Sequence, residues 1–221
     1  SNMNLTHKIE ILPNKKQQVI IHKACGTARF TYNYALKQYE LIYNKYKLDN
    51  NKPKPNIFQI KKEFNRIKES EFPWIYESPK DANQQPFTNL KIAFDRFFKG
   101  KSKYPKLKKK KTNESFYVSN DKFKLNKKEV TLPIIGKVKM REKLRFVGKI
   151  ANATISKIAN KFYISINVEL NEDYKRNRIN NDKIGLDLGI IDFITDSNGK
   201  KVKAPKPLKR YTKVLKRIQK R

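Results

Sequence analysis

Two hydrophobic periods alternate along this chain. From Leu5 to Leu12, apolar Leu5, Ile9 and Ile11 partly alternate with polar neighbours and stop at Pro13, which predicts a short strand. From Gln17 the spacing lengthens. Tyr32, Leu36, Tyr39, Tyr43 and Tyr46 fall at i, i+4, i+7, i+11 and i+14, one face of a helix. Ile57, Ile60, Phe64 and Ile67 repeat that period after Pro55-Asn56, and Phe87, Leu90, Phe94 and Phe97 repeat it again up to Gly100. A helical block over residues 16–99 is expected, broken near residues 53–55, at Pro73 and at Pro79. The Tyr stripe has two readings: a face packing helix on helix, or a platform stacking on nucleic-acid bases. Spacing along one buried face favours the first.

From Ser115 to Leu170 the period is two. Phe162, Ile164, Ile166, Val168 and Leu170 alternate strictly, and Ala159-Asn160 suits a hairpin with Ala153–Ile158. Val130, Leu132 and Ile134-Ile135, interrupted by Pro133 and Gly136, give a second hairpin. Short strands at this spacing suggest a small barrel or sandwich, which Leu5–Leu12 would join. The helical block is then an insertion after the first strand. Residues 171–181 read as a polar linker, and Lys183–Leu188 and Ile190–Thr195 read as strands. Ser197-Asn198-Gly199 supplies a hairpin turn. Leu208, Tyr211, Leu215 and Ile218 mark a last helix.

Charge changes the picture most. The 221 residues carry 52 Lys+Arg against 20 Asp+Glu, a formal net charge of +32. No fold needs that imbalance, because it raises self-repulsion in the compact state. A polyanion-binding surface does, because each neutralised phosphate releases counterions. Aromatics at 11% exclude a disordered basic tail. No apolar run approaches the roughly 18 residues of a membrane span, and no secretory signal is visible, so a bacterial cytoplasmic setting is expected. Ser1-Asn2 ahead of Met3 reads as a cleavage scar. Cys25 is the only cysteine, expected to be a small buried residue, and His7 and His22 have no metal-ligand company.

Two stretches carry candidate chemistry. Lys99–Lys111 holds eight lysines in 13 residues around Tyr104-Pro105 and Leu107. In so basic a chain, phosphate contact is favoured over a merely solvated loop. In KIGLDLG, Asp187 stands between Gly185 and Gly189. A carboxylate at a strand centre needs a partner, and a divalent cation is one. The bland alternative is a strand-ending turn. ATP-binding proteins with a strand and Asp-x-Gly are a rival, but Ile190-Ile191 stand where they place a hydroxyl.

The order of five segments resembles the N-terminal half of the TnpB, or OrfB, proteins, transposon-encoded relatives of type V CRISPR nucleases. They are ACGTARFTYNYAL at Ala24–Leu36, the run from Gln84 to Lys110, SFYVSND at Ser115–Asp121, the run from Leu132 to Glu169, and the run from Ile184 to Arg221, which opens with IGLDLGIIDFITDSNGKK. The resemblance implies an α+β fold. Residues 3–15 and 104–178 would form an oligonucleotide-binding-like β-barrel, the wedge domain. Residues 16–103 would be an inserted helical recognition domain. Residues 179–221 would be the first strands of an RNase H-like (RuvC) domain.

The resemblance also implies RNA-guided DNA cleavage, with guide RNA and target DNA as partners. Asp187 matches the family's first catalytic carboxylate, a magnesium ligand. Gln84, Gln85, Ser119 and Asn120 match polar positions in nucleic-acid-contacting segments, and Lys106, Lys108, Lys109, Lys110 and Lys111 would face phosphates. The family also needs a Glu, an Asp and a four-cysteine zinc element that this sequence does not hold. One carboxylate does not hold a two-metal site. The expectation is an N-terminal fragment, inactive alone, without zinc, partnered by a missing C-terminal nuclease half. The alternatives are a non-catalytic nucleic-acid-binding module and a DNA-binding transposase component with a helix-turn-helix at Ala24–Tyr46. A long Tyr-lined helix with no clear short turn weighs against the last.

Overall fold

The change of period at Pro13-Asn14 is the first joint of the fold. A computed structural model describes residues 3–111 and 113–170. The linker at 171–181, the strands around Asp187 and the last helix lie outside the described residues. Strand β1 (Met3–Leu12) ends at Pro13, and Asn14 caps helix α1 (Lys15–Leu48). The Asn14 side chain accepts from the Gln17 backbone N–H at 2.9 Å, and the Gln17 side chain accepts from Asn14 N–H at 3.0 Å. This reciprocal cap satisfies donors that a helix start leaves orphaned. Gln17 Nε2 also donates to the Lys137 carbonyl at 2.7 Å, tying the helix start to a distant strand.

At 34 residues α1 is about 50 Å long. Asn56 caps α2 (Ile57–Glu71), which ends at Phe72 before Pro73. Two 3₁₀ turns, Pro73–Glu77 and Lys80–Asn83, lead into α3 (Gln85–Phe98). The expected helical block and its breaks at 53–55, Pro73 and Pro79 are therefore present.

Among the described residues, seven strands follow the order β2-β6-β7-β1-β5-β4-β3 in one antiparallel sheet. Beyond β1 they are β2 (Asn113–Ser119), β3 (Lys124–Asn126), β4 (Glu129–Leu132), β5 (Gly136–Met140), β6 (Lys149–Ile158) and β7 (Lys161–Leu170). β1 lies in the middle. It pairs with β7 from Met3↔Leu170 to Ile11↔Phe162, and with β5 through Ile11↔Met140 and Leu12↔Lys139. The two expected hairpins, β4–β5 and β6–β7, are present. Among the described residues the edge strands β2 and β3 do not pair with each other. The chain is thus α+β, with one seven-stranded antiparallel sheet among the described residues.

The period of two decides which face is buried. Phe162, Ile164, Ile166, Val168 and Leu170 of β7 join Ile9 and Ile11 of β1, Ile155 of β6 and Val118 of β2 in one apolar cluster. Ile21, Ala24 and Cys25 from the first half of α1 cover part of it. The second half of α1 contributes Tyr32, Ala35 and Leu36 to a separate cluster with Ile60, Phe64, Ile75, Phe87, Leu90 and Phe94. One helix thus belongs to both cores. Along the Tyr stripe Tyr32 and Leu36 are buried, Tyr39 and Tyr46 are half-buried and Tyr43 is exposed.

His7 is buried in β1. Its Nδ1 accepts from the Arg145 backbone N–H at 3.2 Å, and its Nε2 faces Glu142 Oε1 at 3.0 Å. That pattern places the ring proton on Nε2. The histidine braces the β5–β6 connection to β1.

Candidate nucleic-acid interface

The lysine run is laid down as a strap. Helix α3 ends in a Schellman closure: Lys101 N–H donates to the Arg96 carbonyl at 2.8 Å and Gly100 N–H to the Phe97 carbonyl at 2.9 Å. Gly100 takes φ 67°, which glycine adopts at little cost. Tyr104 then sets its ring edge-on to Phe94 and Phe97, at 5.5 and 5.3 Å, and Pro105 is buried. Asn33 of α1 pairs with the backbone of Lys108 in both directions: Lys108 N–H donates to Asn33 Oδ1 at 2.7 Å, and Asn33 Nδ2 donates to the Lys108 carbonyl at 2.8 Å. The strap is thereby fixed to α1 and α3, where a solvated loop would be free.

Beneath it lies a cleft of about 650 Å³, between the strap, α1, the start of α3 and β2. Lys106, Lys108, Lys109 and Lys111 line it together with Gln85 and Asp81. Arg29 and Glu114 form an ion pair in the same cleft, both largely shielded from water. Cys25 lies against this cleft, itself buried. Burial pushes its thiol up to about 12, with Glu114 adding and Arg29 opposing.

The structure separates the five candidate lysines. The Lys108 amine sits 4.3 Å over the Tyr32 ring, and its burial there holds the pKa below the usual lysine range. With its amine on the Tyr32 ring and its backbone held by Asn33, Lys108 is an anchor of the strap. Lys106, Lys109, Lys110 and Lys111 are exposed. Lys110 lies outside the cleft, near enough to His22 to help lower that ring's pKa, after burial and Lys157.

The polar candidates come from two sequence segments, and one carboxylate joins them. Asp81 Oδ2 accepts from Ser119 N–H at 2.9 Å and lies 2.8 Å from Ser119 Oγ. That hydroxyl is also 2.8 Å from Asp121 Oδ1, and the Ser119 hydrogen bond lowers the Asp121 pKa. The end of β2, with exposed Asn120 next in the chain, is therefore held beside the start of α3.

Gln84 and Gln85 differ. Gln84 Nε2 donates to Asn83 Oδ1 at 2.6 Å and to Asn65 Oδ1 at 2.7 Å, and Gln84 Oε1 accepts from Asn65 Nδ2 at 3.2 Å. Its amide is fully engaged. Gln85 makes one 3.2 Å bond to Asn89 and faces the cleft. Behind Gln84, Lys68 is buried and donates to Asn83 Oδ1 at 3.2 Å, with no carboxylate partner among the described residues. Asp187, the expected metal ligand, lies outside the described residues.

Sequence reasoning did not find Asp81, Asn33, Lys68 or the Arg29–Glu114 pair. Nothing in the local pattern signals Asp81 or Lys68, because their partners lie far along the chain. Asn33 carried a weak signal as a polar residue between Tyr32 and Tyr34, beside the buried stripe.

Residues 3–48 match the family HTH_OrfB_IS605, described as a helix-turn-helix domain. The chain is also 26% identical over 216 residues to the "Putative RNA-guided DNA endonuclease InsQ" of Escherichia coli (strain K12). That match covers 96% of this chain and 52% of the relative, so the chain spans about half the relative's length. The two findings bear out the resemblance to the TnpB/OrfB proteins. In this structure residues 3–48 are β1 and one helix, Lys15–Leu48, with no turn dividing it. No helix among the described residues is long and apolar enough to cross a membrane.

Proposed function

From its likeness to the TnpB/OrfB transposon proteins, we propose that this chain is the nucleic-acid-gripping part of an RNA-guided DNA endonuclease. In this reading it holds guide RNA and target DNA. It contributes Asp187 to a magnesium site of RNase H-like type that residues beyond this sequence complete. The sheet takes the role of the wedge domain and the helices that of the recognition domain.

One observation carries the reading: a lysine strap fixed over a cleft that also gathers Gln85 and Asp81, with Ser119 bonded to Asp81. A backbone held in place brings its exposed lysines to phosphates without the loop itself having to order at the moment of binding. Between the two glutamines, Gln85 is the one free to read a base edge. Gln84 organises the turn behind it.

The test is to purify the chain at moderate salt and sequence whatever nucleic acid accompanies it. A single structured RNA is expected. A random mixture released by salt overturns guide holding and leaves a basic surface only. Incubated with magnesium and target DNA, the chain alone is expected to cut nothing. Cleavage that disappears in Asp187→Ala would overturn the claim of an incomplete site.

A further inference from the structure

Three aromatic rings form a ladder that leads out of the helical core. Tyr39 and Phe94 stack at 4.0 Å with their planes 23° apart, and Phe94 and Phe98 stack at 6.0 Å and 21°. Phe94 is buried, whereas Phe98 is 67% exposed. Phe97 and Tyr104 brace the ladder from the side, with Tyr104 edge-on to Phe97 and 41% exposed. Tyr43, one turn beyond Tyr39 on α1, is also exposed.

This ladder ends at a fixed point. Phe98 is the last residue of α3, and the Schellman closure through Gly100 and Lys101 holds the backbone that carries it. A contiguous exposed aromatic surface marks an interaction site. Its neighbours in the chain say which kind. Exposed Arg96, Lys99, Lys101 and Lys103 flank the ring in sequence, and Lys47 lies 5.9 Å from Tyr43. The acids nearby are already engaged: Asp95 pairs with Lys91 at 2.8 Å, and Glu40 faces the Tyr104 hydroxyl at 3.5 Å. An apolar protein partner would have to bury these lysines against its own surface. A polyanion that carries flat rings matches both the charge and the open ring face.

We propose that Phe98, backed by Phe94 and Tyr39, is a stacking platform for an unpaired nucleotide base, with Lys99, Lys101 and Lys103 on the adjoining phosphates. Phe98 is not among the residues that line the cleft. It selects single-stranded over paired nucleic acid, because a base inside a duplex has no free face to offer. The inference rests on the nucleic-acid-binding reading above and names one form of ligand for it.

The test uses the whole chain with Trp74→Phe and Phe98→Trp, which makes residue 98 the only tryptophan. A short single-stranded oligonucleotide is expected to quench its fluorescence, and an abasic strand of the same length and charge is not. In the parent chain, Phe98→Ala is expected to weaken single-strand binding about tenfold while leaving duplex binding unchanged. Position 98 is exposed, so the variant should keep the parent's melting temperature. Equal quenching by the abasic strand, or equal loss of single-strand and duplex binding, overturns the platform. If strands bind with steep salt dependence but residue 98 gives no response, the platform alone fails. If no nucleic acid binds at any salt, the nucleic-acid-gripping function fails with it.

Discussion

Asn33 and Lys108 hold each other as two strands would, with one side-chain amide standing in for a strand's backbone. Asn33 Oδ1 takes the Lys108 N–H and Asn33 Nδ2 gives to the Lys108 carbonyl. Asn33→Ala should therefore free the lysine strap without unfolding the helix. Limited trypsin digestion should cut between Lys106 and Lys111 sooner than in the parent, while the melting temperature falls by only about 2–4 °C. Unchanged cleavage kinetics would show that Pro105 and Tyr104 suffice to hold the strap.

The lysines of the strap should part in their salt dependence. Binding to nucleic acid should weaken by roughly 10³ or more between about 50 and 200 mM salt if several phosphates are contacted. Lys109→Gln should lower the slope of that dependence by about one. Lys108→Gln should lower it far less, because that amine is spent on the Tyr32 ring. Equal slopes for the two variants would return Lys108 to the phosphate-facing set.

Lys68 is a cation inside the helical core whose described hydrogen bond goes to a neutral amide. Burial first, then Lys80 and Lys61, hold its pKa below the ordinary lysine value of 10.5. The folded chain thus binds this proton less tightly than the unfolded chain does. The resulting cost is full below the folded pKa and fades as pH rises from there through 10.5. Lys68→Met should raise the melting temperature at neutral pH by about 2–4 °C, and the gain should shrink as pH approaches 10. A gain that stays constant with pH would assign the effect to packing.

Gly148 sits where no side chain fits. A Cβ there would stand 2.4 Å from the Glu169 carbonyl oxygen and 3.0 Å from Val168 Cγ1. Gly148→Ala should destabilise by about 1–3 kcal/mol in urea unfolding, as β6 is pushed from β7. Gly26, with only the tip of Arg29 near, should accept alanine with little change.

The Cys25 thiol, raised to about 12, should resist thiol reagents at neutral pH until the chain is unfolded. Prompt labelling of the native protein would mean that the cleft floor opens.

Much of this was legible because period reports burial directly. The alternation from Phe162 to Leu170 marks one face, and that face is buried throughout. The helical steps from Ile57 to Ile67 mark another, buried at Ile60 and Phe64 and half-buried at its two ends. The strand order was not legible, since β1 pairs with β7 and β5, both far along the chain. Nor was the shared role of α1. Its first half buries Ile21, Ala24 and Cys25 against strands far along the chain, which no local window records. The candidate site obeyed the same rule. The lysine run announced itself by composition, but Asp81 became visible only when the fold brought Ser119 to it.

The central place of β1 has a consequence for the order of events during synthesis. It precedes every other described element in leaving the ribosome, yet the partner it pairs with from end to end, β7, begins at Lys161. The helices between them can close their own core from local contacts while the first strand waits. Pairing across so long a stretch of chain is slow, because loop closure comes before any reward. The newborn chain therefore carries an unpaired, partly alternating strand until β7 has emerged, and refolding should show fast helix formation, then a slower step in which the sheet assembles.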